Sequence, residues 1–195
     1  LEKSVARFTR LASPKNLRIV ALKEQKPIFQ KEYPGLSRRV LWEPFGRNTA
    51  AAIALASFEI AKIDPHATVV AAPCDAWVGD ERNFLKTIRK AVTVAKRFDD
   101  IVTIGIPPTY PATGYGYIRY ARGGEKGAFR VLHFIEKPSY PQAKALLRRG
   151  SVLWNSGIFV FQISVLMELL KSHLPVLYRG FRNKTSLSRL YRKLL

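Results

Sequence analysis

The stretch RVLWEPFGRNTAAAIALAS, residues 39–57, sets an apolar run against Glu43 and Pro44, then a short polar loop, then an alanine-rich segment opening on Asn48 and Thr49. Apolar and β-branched residues closed by a proline predict a strand over 39–42. Asn48 or Thr49 predicts the cap of a helix running to about residue 62, since either side chain can accept from a backbone N–H of the first turn. A strand that feeds a helix through so short a loop is half of a crossover unit, the building block of α/β folds.

The same alternation continues on both sides. Strands are predicted over 17–22, 67–72, 101–106, 115–120, 129–135 and 157–162. Asp80 predicts a helix cap for a segment reaching about residue 96, Pro141 fits a first helical turn, and SVLMELLKSHLP gives another helix ending before Pro175. Strands separated by helical segments imply an α/β class with a largely parallel, doubly wound sheet. The closer spacing of the later strands allows an antiparallel lobe. There is no repeat, low-complexity stretch or linker, so residues 1–195 are expected to form one domain.

At 195 residues and 47% hydrophobic composition, the chain can bury one substantial core. Lys and Arg number 33 against 14 Asp and Glu, giving a formal charge of +19. Such an excess attracts phosphate-bearing partners, whether nucleotide, nucleic acid or anionic lipid, and does not choose among them. Basic residues cluster at Arg38–Arg39, Arg148–Arg149 and from Arg179 onward, but no run of five or six like charges marks a disordered arm. The aromatic residues fall in apolar strands or beside glycines, without the basic and aromatic alternation that tracks a nucleic acid strand, so nucleic acid is not the expected partner. A single cysteine, Cys74, excludes an internal disulfide framework. With no segment near the roughly 20 apolar residues of a membrane span and no signal-peptide order, a cytoplasmic protein with no membrane partner is expected. The chain opens on Leu1 rather than Met, and a segment upstream is expected.

In open α/β sheets ligands gather beyond the carboxyl ends of the strands, where loops feed helices. The polar residues following each apolar run are therefore the candidates. A helix starting at Asn48–Thr49 aims unpaired N–H groups at the crevice, suiting a phosphate or a base edge; simple capping explains the same residues. Asp75, after ATVVAAPC, is placed as Mg²⁺ ligands often are, or caps a turn. Gly114 and Gly116 around Tyr115 allow close backbone approach beside an aromatic surface, as sugar binding needs, or open a tight hairpin. Glu136 can accept from two sugar hydroxyls and Lys137 can neutralise a sugar phosphate, or the two form an exposed ion pair. Asn155 offers an amide to a ligand, or belongs to an Asn-Ser-Gly turn. His66, His133 and His173 lack zinc-ligand spacing, and no Gly-x-Ser-x-Gly elbow supports hydrolase chemistry.

Taken in order, EPFGRNTAAAIALAS, VVAAPCDAW, IGIPPTYPATGYGYI, FIEKP and LWNSGIFVF resemble the mannose-1-phosphate guanylyltransferases, sugar-nucleotide pyrophosphorylases that make GDP-mannose, over nearly the whole chain. The resemblance implies a Rossmann-like nucleotide-diphospho-sugar transferase fold with a mostly parallel mixed sheet, truncated at both ends, and a Mg²⁺-dependent reaction of GTP with mannose 1-phosphate. It places Glu43, Pro44, Arg47, Asn48 and Thr49 on the nucleotide side and Asp75 on the metal. It places Gly114, Tyr115, Gly116, Glu136 and Asn155 on the sugar, with Lys137 on the sugar phosphate; Asp75 and Lys137 are the expected catalytic residues. The family's opening glycine-rich loop and its second metal-binding aspartate have no counterpart here, and Ala76 stands where a histidine usually follows the aspartate. The family's opening strand is expected to lie inside the sheet. This chain alone is therefore expected to be inactive or impaired, unless a complementing chain or a second copy supplies the rest. The alternatives are a non-catalytic basic fragment that binds nucleic acid or a protein, and a pyrophosphorylase for a different sugar nucleotide.

Overall fold

The computed structural model describes residues 1–46, 48–124, 127–183 and 186–192. In chain order the elements are α1 (Glu2–Phe8), β1 (Ile19–Leu22), α2 (Lys26–Glu32), β2 (Val40–Glu43), α3 (Thr49–Ala61), β3 (Thr68–Ala71), α4 (Glu81–Phe98) and β4 (Val102–Ile106). They continue with β5 (Tyr117–Tyr120), β6 (Val131–Ile135), α5 (Tyr140–Arg149), β7 (Val152–Gln162), α6 (Ile163–His173), α7 (Pro175–Arg182) and α8 (Leu187–Arg192). The opening stretch behaves as its residues dictate. The strand stops at Glu43, Pro44 bends the chain, and the Asn48 side chain accepts from the Ala51 N–H to cap α3.

The sheet departs from the expected parallel arrangement. Among the described residues only β1 and β2 pair in parallel, while the larger sheet runs β3-β7-β5-β6, with β4 also on β7, and each of its pairings is antiparallel. The reason lies in β7, which is 11 residues long and pairs on both edges. Val160 faces Val70 of β3 on one side and Val102 of β4 on the other; further along, Trp154 faces Ile106 of β4 and Tyr117 of β5. The helical crossover α4 does leave β3 and β4 pointing the same way, as crossovers should. The two strands are not neighbours, however, because β7 runs between them in the opposite sense. Likewise β6 and β7, joined through α5, flank β5 rather than each other.

β7 also begins five residues before the predicted strand, since Asn155, Ser156 and Gly157 read locally as a turn. They are held in the strand as a bulge. Thr103 faces Phe159 and Gly105 faces Asn155, so β7 spends extra residues over this interval, and Gly157 takes a φ of +74° that few other residues tolerate.

Helices cover both faces of the sheet. Val160 packs on Ala91 and Ala95 of α4, while Phe161, the next residue and so on the other face, joins Ala54 of α3 with Leu166 and Leu170 of α6. A further cluster joins Tyr117 and Trp154 to Ala143 and Leu146 of α5. The β1–β2 pair has its own small core of Ala21, Phe29 and Val40. Among the described residues no ladder joins that pair to the larger sheet. Between them runs a groove of about 1600 Å³, lined by Val20 and Ala21 on one side and by Val69 and Val70 on the other.

Candidate functional site

The central strand β7 organises the polar loops. The backbone N–H of Asn155 donates to the Gly116 carbonyl at 2.7 Å, which fixes the Gly114–Gly116 loop against it. Asn155 Oδ1 accepts from Thr103 Oγ1 at 3.0 Å and from the Gly157 N–H at 3.2 Å, so its oxygen is engaged and its NH₂ remains the group it can offer a ligand. Gly116 is buried, and a Cβ there would lie 2.8 Å from Glu136 Oε2 and 2.9 Å from the Phe134 ring. A side chain at this position would have to displace the Glu136 carboxylate and the Phe134 ring. Gly116, Glu136 and Asn155 therefore form one group.

Aromatic rings pack beside the Gly114–Gly116 loop. Tyr115 and Tyr110 pack on the Trp154 ring, with centroids 5.2 and 5.0 Å apart. The hydrogen bond that the Tyr110 hydroxyl donates to Tyr115, and the neighbouring phenols, push Tyr110 above its ordinary range. The Tyr117 hydroxyl donates to the Ala112 carbonyl at 2.8 Å and pins the start of the loop. Trp154 is buried, and its Nε1 is a donor without a partner among the described residues. Lys137 takes a left-handed φ of +42°, unusual for a side-chain-bearing residue, and its Nζ lies 4.0 Å from Glu136 Oε1 with both groups exposed. Solvent screening leaves such a pair weak, and free to exchange partners with a ligand.

Asp75, Asn48, Thr49 and Gly157 all line the large groove between β1 and β3. Pro73 packs near Gly157, where an added Cβ would come within 3.7 Å, and the Cys74 carbonyl accepts from Ser4 Oγ at 2.8 Å, tying the Asp75 loop to α1. A single residue of β7, Ser156, thus separates Gly157, the neighbour of the Asp75 loop, from Asn155. Asp75 is exposed, and no group of three or more His, Cys, Asp or Glu side chains gathers among the described residues. A lone free carboxylate fits Mg²⁺ as one ligand among phosphate oxygens and waters, and would not hold it as an all-protein cage.

Glu43 is placed differently. It is buried, does not line the groove, and accepts a hydrogen bond from the Tyr191 hydroxyl at 2.8 Å. Burial raises its pKa, and the Tyr191 bond offsets part of that; burial and the facing carboxylate push the Tyr191 phenol far above its usual range. Pro44 is half-buried at the bend that follows, and Arg47 lies outside the described residues. Tyr191, Thr103 and Trp154 shape the site without having stood out in the sequence. Trp154 was the most legible of them, directly preceding Asn155, whereas Tyr191 is 148 residues from its partner and nothing local marks it.

A family model described as nucleotidyl transferase matches residues 5–187. The chain belongs to that family. Among its relatives, the mannose-1-phosphate guanylyltransferase of Salmonella montevideo is 41% identical over 156 residues, 77% of this chain and 32% of that protein. Alginate biosynthesis protein AlgA of Pseudomonas aeruginosa is 36% identical over 160 residues, 80% of this chain and 33% of that protein. The chain thus spans about a third of the length of these curated relatives. A solved structure named mannose-1-phosphate geranyltransferase, from Thermus thermophilus, superposes with a TM-score of 0.87 at 31% identity, covering 98% of this chain and 56% of that one. Within this nucleotidyl transferase frame, the loops on β7 are the residues to which a function can be attached.

Proposed function

We propose that the chain is the sugar-binding portion, with part of the nucleotide side, of a mannose-1-phosphate guanylyltransferase that joins GTP and mannose 1-phosphate into GDP-mannose and pyrophosphate. The observation that carries this reading is the close approach of Gly116 to the Glu136 carboxylate, on a loop whose Gly116 carbonyl accepts from the Asn155 N–H, while the Asn155 NH₂ is left to meet a ligand. A carboxylate accepts from two adjacent hydroxyls and an amide NH₂ donates to a third oxygen, while the exposed Tyr115 ring, backed by the buried Trp154, offers apolar surface to a pyranose. Lys137, exposed and weakly paired, can turn to the sugar phosphate. The nucleotide would extend toward Asn48 and Thr49, where the α3 N-terminus presents N–H groups, with Glu43 and Pro44 at the loop that precedes them and Arg47 assigned to the nucleotide side by the family resemblance alone.

In the reaction a phosphate oxygen of mannose 1-phosphate attacks the α-phosphorus of GTP in line, and the bond to the bridging oxygen breaks to release pyrophosphate. Such a transfer asks the protein chiefly for alignment and charge neutralisation. Mg²⁺ held by Asp75 and substrate phosphates would supply part of that neutralisation. Relatives named as mannose-1-phosphate guanylyltransferases support the choice of sugar and base.

Calorimetric titration with GDP-mannose tests the reading. Saturable binding is expected, weakened about tenfold or more by Glu136→Gln and by Asn155→Ala, each of which removes a polar contact to the sugar. Wild-type affinity in both variants would contradict it. Binding of DNA that falls steeply with added salt, with no response to GDP-mannose, would favour the non-catalytic basic alternative.

A further inference from the structure

At the other end of β5 and β7 the structure holds a second recess, of about 340 Å³, bordered by Arg119, Arg122 and Arg149 with Tyr120, Gly150 and Ser151. Its distance along the strands from Gly116 and Asn155, three to four residues, is roughly 10–13 Å. Two segments make it. The Tyr120 N–H donates to the Ser151 carbonyl at 3.1 Å, which draws the end of β5 onto the turn after α5. Arg122 Nε then donates to Ser151 Oγ at 2.9 Å, so the guanidinium is anchored by one edge while its two terminal nitrogens stay available.

The turn is held in an uncommon conformation to achieve this. Gly150 has a φ of +67° and Ser151, which carries a side chain, has a φ of +53°. The Arg122 Nη2 atom lies 3.9 Å from where a Cβ on Gly150 would stand, so the guanidinium rests on bare backbone. No carboxylate lines the recess, and none of the three arginines takes part in an ion pair among the described residues. Elsewhere the chain does pair its arginines: Arg7 and Arg10 both reach Glu81. Three arginines that border one recess with no counter-charge among the described residues repel one another, and an anion with several acceptor oxygens relieves that repulsion while taking paired N–H bonds.

We propose that this recess is a binding site for a phosphate monoester, separate from the sugar-nucleotide group and independent of the function assigned to it. The volume is near the lower end of ligand clefts, about 300–1000 Å³, and admits a phosphate with a small organic part. The phosphate oxygens engage the free edges of Arg122 and Arg149, with Arg119, on the strand that also pairs with Val152, closing the third side.

The test is an NMR titration of the ¹⁵N-labelled chain with inorganic phosphate, repeated with vesicles containing phosphatidic acid, whose headgroup carries the same chemistry. Saturable shifts confined to residues 119–122 and 149–151 are expected. Arg122→Gln and Arg149→Gln should each weaken binding about tenfold, the loss of one charge-assisted contact, while Arg82→Gln on the exposed face of α4 leaves it unchanged. Ser151→Ala, which removes the anchor but no charge, should give a smaller loss, and all variants should keep the wild-type far-ultraviolet spectrum. A response to free phosphate identifies a soluble ligand. A response to the vesicles alone, lost in the same two arginine variants, identifies a lipid headgroup. Shifts spread over the basic surface without saturation, or binding unchanged in both arginine variants, would overturn the proposal.

Discussion

At the residue scale, Asn48 and Glu43 show how one motif divides its labour. Asn48 caps α3, so substitution has a structural cost whatever else the residue does. Asn48→Ala should lower stability by about 1 kcal/mol, the usual cost of losing a cap, and Asn48→Asp should retain it, because aspartate caps equally well. If the α3 N-terminus also faces the nucleotide, the added negative charge in Asn48→Asp should weaken GDP-mannose binding while urea denaturation stays near wild type. Equal loss of stability in both variants would leave the cap account wrong. Glu43 is a buried acid whose folded pKa exceeds its ordinary 4.5, chiefly through desolvation. Its native form favours the proton, so the stability it contributes is complete below the unfolded pKa and is lost as pH rises through the folded value. Glu43→Gln keeps an acceptor for Tyr191 and carries no charge. Relative to that variant, the wild type should gain stability as pH falls from about 7 to about 4; denaturation midpoints that run parallel over this range would contradict the assignment.

At the scale of elements, stability should be uneven. β7 is paired on both edges and packed on both faces, whereas β1 pairs only with β2, and two-stranded units are marginal by themselves. Amide exchange should therefore be slowest around Ile158–Phe161 and at least about tenfold faster over Ile19–Leu22; uniform protection would show that the β1–β2 pair is bound into the main cooperative unit. The same contrast explains what the sequence disclosed. Strand and helix positions followed from local chemistry: the Asn48 and Asp80 caps, the Pro44 stop and the continuous apolar runs around Val69 and Val160 all act within a few residues. The partner of each strand did not, because Val160 meets Val70 and Val102 across gaps of 90 and 58 residues that no local pattern encodes. Asn155, Ser156 and Gly157 look like a turn to any local reading, and it is their cross-strand partners that make them a bulge. The polar groups of the candidate site were legible because they follow apolar runs; their supports, Thr103 and Tyr191, were not, since each acts on a residue far along the chain.

At the scale of the molecule, a formal charge of +19 makes the whole surface attractive to anions, so affinity for a phosphate-bearing ligand is weak evidence by itself. Specificity has to come from position. The account places Asp75 beyond β3, Asn155 on β7, Gly116 before β5 and Glu136 after β6, linked in sequence by the contacts of Pro73 with Gly157 and of Asn155 with Gly116. Its central claim is that these four belong to one cleft that receives a single sugar nucleotide. An NMR titration with GDP-mannose, at an ionic strength of about 0.15 M to screen the general surface charge, measures this most directly. The amides of Asp75, Gly116, Glu136 and Asn155 should shift together and saturate at the same ligand concentration. Shifts at Glu136 and Gly116 that leave Asp75 unmoved at saturation, or that never saturate, would contradict it.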